Sequence, residues 1–147
     1  MQIQFEIEDQ ASARLESLAG RELSEARRRL IEQAMQQTLV DTLELNPVAT
    51  GRSRAAWAAA LAQIGIELPA DWRGPQPDGA AIAEGAAQGT LTRSEDDSTT
   101  QVNAENGVRY IGFLEYGTRR MAPFAMVRRA LAAVQQELGR WFEFPVE

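Results

Sequence analysis

Hydrophobic positions change their spacing several times along this chain, and each change marks an element. Residues 2–8 alternate, with Ile3, Phe5 and Ile7 on one face and Gln2, Gln4, Glu6 and Glu8 on the other. This is the pattern of a half-buried strand, and its short charged outer face suits a sheet edge. Asp9 can cap a short helix that turns Leu15 and Leu18 inward and stops at Gly20. From about 22 to 45 the spacing becomes three and four. Leu23, Ala26, Leu30 and Ala34, with Ile31, Met35, Leu39 and Leu43, form one apolar stripe and predict a long helix. Asn46-Pro47 ends it, because a residue before proline is pushed out of helical geometry. Thr50 then reads as an N-cap with Gly51 at the turn, followed by an alanine-rich helix over 52–63 anchored by Trp57, Leu61 and Ile64.

Between 65 and 100 the pattern thins. Pro69, Gly74, Pro75, Pro77, Gly79, Gly85 and Gly89 punctuate it, and large apolar residues are few. The expectation is a long irregular excursion with at most a short helix near 79–87 and a hairpin from about 90, turning at Glu95-Asp96-Asp97-Ser98. Sparse anchoring predicts that this is the most mobile part of the subunit. Trp72 within it either anchors against a partner or covers the protein's own core. Residues 99–104 read as a strand and Glu105-Asn106-Gly107 as a hairpin turn. Residues 108–116 read as the returning strand, since Val108, Tyr110, Ile111, Phe113, Leu114 and Tyr116 are β-branched, aromatic or aliphatic. A polar elbow follows, Gly117-Thr118-Arg119-Arg120-Met121-Ala122. Pro123 suits the first turn of a helix, and Phe124, Val127, Leu131 and Val134 recur at helical spacing towards Phe142. Phe144-Pro145-Val146-Glu147 leaves it as an extended end. The predicted whole is a single α+β domain over 1–147: a small antiparallel sheet with a long N-terminal helix and a C-terminal helix packed on it.

Composition removes most catalytic chemistry. The 147 residues include no cysteine and no histidine. Disulfides, thiolate metal sites and serine–histidine or cysteine–histidine pairs are therefore excluded, and no spaced calcium loop is present. No metal or cofactor is expected. Glu95, Asp96 and Asp97 lie in a polar turn, where no burial raises their pKa values, and read as solvating charges. Glu115 sits among apolar residues and needs a partner, with Arg52, Arg54, Arg119 and Arg120 as candidates. It reads as a structural ion pair holding the elbow; the competing reading is an acid acting with a bound cation in a hydrolase. Phe113, Tyr116, Phe124, Trp141 and Phe142 read as core rather than as a stacking platform for bases.

Net charge is −6, which makes a poor sequence-independent binder of nucleic acid. All 15 basic residues are arginine, which suits planar bidentate pairs at interfaces, although GC-rich codon usage would give the same bias. Arg27-Arg28-Arg29 splays around its helix and reads as a solvated or subunit-facing surface. Arg52 and Arg54 lack the glycines and lysine of a phosphate loop and read as ion-pair or subunit contacts. No apolar run approaches the ~20 residues of a membrane span. The acidic first residues do not read as a secretory signal, so a soluble protein made in a reducing cytoplasm is expected.

Two stretches carry a resemblance. Asn46-Pro47-Val48-Ala49-Thr50-Gly51-Arg52-Ser53-Arg54, with Trp57 beyond, resembles the Pro-Val-x-Thr-Gly-x-x-Arg segment of the tail-completion, or neck, proteins of long-tailed phages, the minor tail protein Z-like and gene-product-ten-like head–tail joining proteins. Tyr110…Glu115-Tyr116-Gly117-Thr118…Ala122-Pro123-Phe124…Ala130-Leu131 resembles that family's Glu-aromatic-Gly-Thr…Pro-Phe…Ala-Leu signature. The two occur in the family's order about sixty residues apart, and the likeness spans roughly 10–62 and 100–140. The alanine-rich run after Trp57 and the 65–100 excursion depart from it.

The resemblance implies an α+β fold and a structural virion protein, made in the host bacterial cytoplasm and built into the neck. Its partner would first be itself, as a hexameric ring at the head–tail junction. Adjacent neck, tail-terminator or tail-tube proteins would follow, with DNA passing through the channel without specific binding and no membrane involved. The family has no defined catalytic set, so an enzyme is not expected. Thr118, Arg119, Arg120 and Trp72 are the candidate assembly surface. Glu115, Gly117, Pro123, Phe124, Thr50, Gly51, Arg52 and Arg54 are the candidate structural elbow and its ion pairs. The alternative is an intracellular interaction adaptor unrelated to virions, which would stay monomeric or dimeric where a neck protein forms rings.

Overall fold

The alternating N-terminal stretch forms β1 (Gln2–Glu8), and the long apolar stripe forms α1 (Arg21–Leu45). They belong to a computed structural model that describes residues 1–8, 21–69 and 71–141. The short helix expected after Asp9 and the extended end at 144–147 lie outside the described residues. Next come α2 (Arg52–Ala62), α3 (Gly79–Ala86), β2 (Gly89–Glu95), β3 (Thr99–Asn106), α4 (Ile111–Tyr116) and α5 (Met126–Trp141). The fold is α+β, with one antiparallel sheet in the order β1-β3-β2. In its register Ile3 lies opposite Ala104 and Phe5 opposite Val102, while Leu91 lies opposite Ala104 from the other side. Ile3, Leu91, Val102 and Ala104 are all buried and face one core with Ile31, Met35, Leu39 and Leu43 of α1 and Trp57 and Leu61 of α2. Helix α5 lies along α1 through Met126, Val127, Ala130 and Val134.

The sheet differs from the expected one. Residues 108–116 are not its third strand; β1 takes that place, and 111–116 is the helix α4. The inward residues Val108, Ile111 and Glu115 are three and four apart, which is helical spacing, while the aromatic content that suggested a strand points outward. Asn106 is accordingly not a solvent-facing hairpin turn. It ends β3 opposite Gly89, and its side chain is buried.

Helix α2 is alanine-rich because other backbones press against it. It is covered by α1, α3, β2 and β3, and Ser53, Ala55, Ala56, Trp57, Ala58, Ala60 and Leu61 are buried. A Cβ at Gly85 would meet the Arg52 carbonyl, and one at Gly89 would meet the Ala56 carbonyl. Only glycine lets α3 and the start of β2 approach this closely.

The 65–100 excursion contains α3 and β2 and is tied to the rest. The Asp78 N–H bonds to the Thr50 carbonyl at 3.1 Å, and the Asp78 carboxylate caps α3 through the Ala80 and Ala81 N–H groups at 2.9 and 3.1 Å. Trp72 is 8% exposed and belongs to the protein's own core, with the Arg73 guanidinium 4.8 Å from its ring. It therefore offers no exposed ring to a partner.

The β2–β3 turn is more than solvated charge. Glu95 pairs with Arg28 at 2.7 Å, and the Asp96 carboxylate accepts the Ser98 and Thr99 N–H groups at 2.9 and 2.7 Å. These two bonds hold the Asp96 pKa below its ordinary 3.8, and the hydrogen bond and charge of Glu95 raise that of Arg28. Arg27 is buried, donating to Thr100 Oγ1 at 2.8 Å, and Arg29 meets Glu25 at 3.6 Å. The arginine run is thus not a uniform solvated surface, since a turn of about 100° per residue sends Arg27 inward onto β3.

Two outcomes are expected. Gly89→Ala should cost about 1–3 kcal/mol by overpacking, read as a lower urea midpoint, while Gly79→Ala, where an added Cβ meets nothing, should match the wild type. Equal midpoints for the two variants would disprove the close approach. Because the folded pKa of Asp96 is depressed, the stability it contributes is present above about 3.8 and is lost as pH falls through the folded value. An NMR titration should place its midpoint below that of an unfolded control, and Asp96→Asn should flatten this part of the acid dependence.

Candidate functional site

The two stretches that carry the family resemblance meet in space. The first begins where α1 stops. Buried Asn46 donates from Nδ2 to Ser53 Oγ at 2.9 Å, and its carbonyl accepts Arg54 Nε at 2.7 Å. The chain then turns at Gly51, whose φ of 89° is left-handed and whose missing Cβ leaves room for Ile82 and the Arg73 carbonyl. Gly51 occupies the N-cap position of α2 without a side-chain bond, so the expected cap by Thr50 is not made. Thr50 instead offers its carbonyl to Asp78. Arg52 pairs with Glu84 at 2.9 Å, the intramolecular ion pair expected of it. Arg54 spends its guanidinium on the carbonyls of Asn46, Trp72 and Glu44.

Ser53 is the bridge to the second stretch. Its carbonyl accepts Asn106 Nδ2 at 3.0 Å, and Asn106 Oδ1 accepts the Val108 N–H at 3.1 Å. This buried chain of polar partners fixes the start of α4 against the start of α2. Both amide nitrogens and Asn106 Oδ1 find partners within it, while buried Asn46 Oδ1 has none.

Glu115 lies on the inner face of α4 and is 1% exposed. Its carboxylate accepts the Val127 N–H at 2.9 Å and the Arg128 N–H at 3.1 Å, and Arg128 Nε lies 3.0 Å away. Arg128 also donates to the Glu115 carbonyl at 2.8 Å and lies 5.1 Å from the Tyr116 ring. The ion pair is as expected in kind, but its partner is Arg128 rather than Arg52, Arg54, Arg119 or Arg120. Helix α5 begins at Met126, three residues later than Pro123 suggested. Ala125 precedes it at a left-handed φ of 49°, and its carbonyl accepts the first helical bond from Arg129. Alanine has no side chain to cap with, so Glu115 supplies the cap from another helix, with its charge at the positive end of the helix dipole.

The elbow closes as a tight turn. Thr118 N–H donates to the Met121 carbonyl at 2.9 Å and the Arg120 N–H to Thr118 Oγ1 at 3.2 Å. Gly117 has φ 77°, and a Cβ there would lie 2.7 Å from the Met121 carbonyl oxygen. Arg119 and Arg120 stand exposed at the tip. The Phe124 N–H bonds to the Leu114 carbonyl at 2.9 Å, folding the chain after the elbow back onto α4.

A cleft of about 330 Å³ opens where the segments join, lined by residues 47–51 and Ser53 on one side and by Tyr110, Leu114 and Phe124 on the other. Phe124 of its wall is 39% exposed, and on α4 Phe113 and Tyr116 are 59% and 67% exposed. The expectation that these three aromatics are core fails, because α4 turns Ile111 and Glu115 inward and these rings outward. A helical wheel over 108–116 is the sequence signal that exposes them.

Compared with models of known families, with curated proteins and with solved structures, the chain matches none. Among the described residues no group of three or more His, Cys, Asp or Glu could hold a metal ion, and no helix is long and apolar enough to cross a membrane. A carboxylate buried and occupied like that of Glu115 holds structure; it has no open face towards a substrate.

Removing that cap should be costly. Glu115→Ala leaves two helix N–H groups and Arg128 without their acceptor and is expected to lose about 2–4 kcal/mol. Glu115→Gln, which keeps one acceptor oxygen, should lose less. Urea titration of both reads this, and an unchanged midpoint for Glu115→Ala would show that the cap contributes nothing.

Proposed function

We propose that this protein is a structural virion component of the phage neck, assembling as a ring at the head–tail junction and acting in tail completion or head–tail joining. The observation that supports it most is the meeting of the two resembling segments around one exposed, aromatic-framed cleft. Residues with that likeness, sixty positions apart, are held together from beneath by buried Asn46, Ser53 and Asn106, and on this reading they serve contact rather than chemistry. Exposed apolar area rimmed by charge is what protein contact surfaces present. The exposed arginine turn lies between Leu114 and Phe124 in the chain, on an otherwise acidic subunit.

The mechanism is binding. In a ring each subunit offers one face to the next and receives a different one. Exposed arginines meeting an acidic neighbour guide register and encounter more than they add affinity. An acidic chain with its arginines largely committed to ion pairs and carbonyls would let DNA pass without gripping it. On this reading the protein is made in the bacterial cytoplasm, incorporated into the virion, and flanked by neighbouring neck or tail proteins. A small adaptor unrelated to virions is the competing reading, and assembly separates the two.

The purified protein is expected to form closed rings, hexamers by this reading, visible by negative-stain electron microscopy and concentration-dependent in sedimentation. A monomer or dimer at every concentration would favour the adaptor. In the phage, Arg119→Glu with Arg120→Glu should leave a circular dichroism spectrum like the wild type but lysates with free heads and free tails. Normal numbers of joined particles would remove the turn from the assembly surface.

A further inference from the structure

A second pocket, of about 500 Å³, lies where β1, the end of β3 and α4 meet, and it shares no residue with the cleft. Gln2, Gly107, Arg109, Gly112 and Tyr116 are in its wall. Arg109 is its one charged side chain, exposed and without an ion pair among the described residues. The Tyr116 ring is largely exposed, and the Arg128 guanidinium lies 5.1 Å from it. A free guanidinium and a phenol, with no carboxylate in the wall, form a set that receives an acidic side chain. Gly112 adds a second observation. It has no left-handed φ, and a Cβ there would meet nothing within 4 Å. Nothing inside the subunit requires glycine at this position, although glycine weakens a helix relative to alanine. Its missing side chain leaves the pocket open.

The complementary feature stands at the other end of the same sheet. The β2–β3 turn exposes Asp97. Among the described residues, Asp97 alone of the exposed acids without a partner stands at a hairpin tip. The turn beneath it is held closed. The Asp96 N–H donates to the Thr99 carbonyl at 2.9 Å, and the Asp96 carboxylate accepts the Ser98 and Thr99 N–H groups. The register sets tip and pocket apart, since β1 lays Glu8 opposite Thr99 and Gln2 opposite Glu105. The eight residues of β3 put about 25 Å between them. The tip therefore cannot enter the pocket of its own subunit.

We propose that the Asp97 tip of one copy docks in this pocket of a second copy, with its carboxylate received by Arg109 beside Tyr116. This rests on the reading that the protein assembles with itself and names a contact through which it does so. The contact is heterologous: each subunit gives its tip at one end of the sheet and receives a neighbour's at the other. Such contacts generate a ring if the rotation closes. Opposite charge at the two ends also fixes which end meets which.

The test uses the full chain with Arg109→Glu, with Asp97→Arg, with both together, and with Gly112→Gln. Circular dichroism and urea midpoints check the fold, and sedimentation velocity reads assembly. Each charge reversal alone should weaken self-association about tenfold. The double variant restores an opposite-charge pair at every junction and should return to within about threefold of the wild type. Gly112→Gln should hold or raise the urea midpoint, because glutamine is the better helix former, and still weaken self-association by filling the pocket. If either single reversal, or Gly112→Gln, assembles like the wild type, the contact is overturned and the assembly reading stands. A double variant no stronger than the single ones also overturns the contact, because the two residues then do not face each other. A wild-type protein that is monomeric at every concentration overturns both the contact and the assembly reading.

Discussion

The Glu115 carboxylate receives two N–H groups from the first turn of α5 and the guanidinium of Arg128, and the exposed end of the molecule hangs on that junction. A helix start needs acceptors for its free donors, and Ala125 has none to give. Glu115 comes from α4, so capping α5 also fixes the angle between the two helices. It also fixes the length of chain between them, which Gly117 must turn at a left-handed φ. The arginine tip, the Phe124 ring and the outward face of α4 are all set by this one internal bond network. Burying an anion is tolerable here because three N–H donors and the helix dipole compensate the lost water.

A second constraint works from the other side. Helix α2 is thin where α3 and β2 cross it, and glycine at 85 and 89 lets their backbones touch its own. The first turn of α2 is thereby held in place, and with it Ser53, which receives Asn46 on its hydroxyl and Asn106 on its carbonyl. Polar groups buried at the meeting of three segments have few satisfying arrangements, so they define position more sharply than apolar packing does. The cleft is the space left over at this corner.

Much of this was legible beforehand. β1, α1, α2, α3 and the β2–β3 hairpin stand where periodicity and the Gly–Pro punctuation put them, because each buries one face and its pattern states which. The failures share a cause. Residues 108–116 and Thr50 were read from residue type, and the interior decided otherwise. Phe113 and Tyr116 are strand-favouring rings on the exposed side of a helix, so content and period disagreed, and period was right. Thr50 is a good cap residue, but Gly51 takes the position, at a left-handed φ and where a Cβ would crowd Ile82. Trp72 looked isolated in a polar loop and is packed, since nothing local shows where a loop folds back. Arg128 as the partner of Glu115 was not legible at all. It requires knowing that α5 begins at Met126, which depends on the left-handed Ala125.

The pairing of β1 with β3 has a temporal side. Ile3 and Ala104 are neighbours in the sheet but about a hundred residues apart in the chain. At synthesis rates of about 5–20 residues per second, β1 is complete some 5–20 s before the strand it needs exists. During that interval it must remain unpaired beside other nascent chains. Gln2, Gln4 and Glu6 on its outer face keep that face polar and charged, which is how an edge is kept from pairing with strangers. The strand made first is the one paired across the longest loop, and its polar face is as much a condition of reaching the folded state as its apolar face is of staying there.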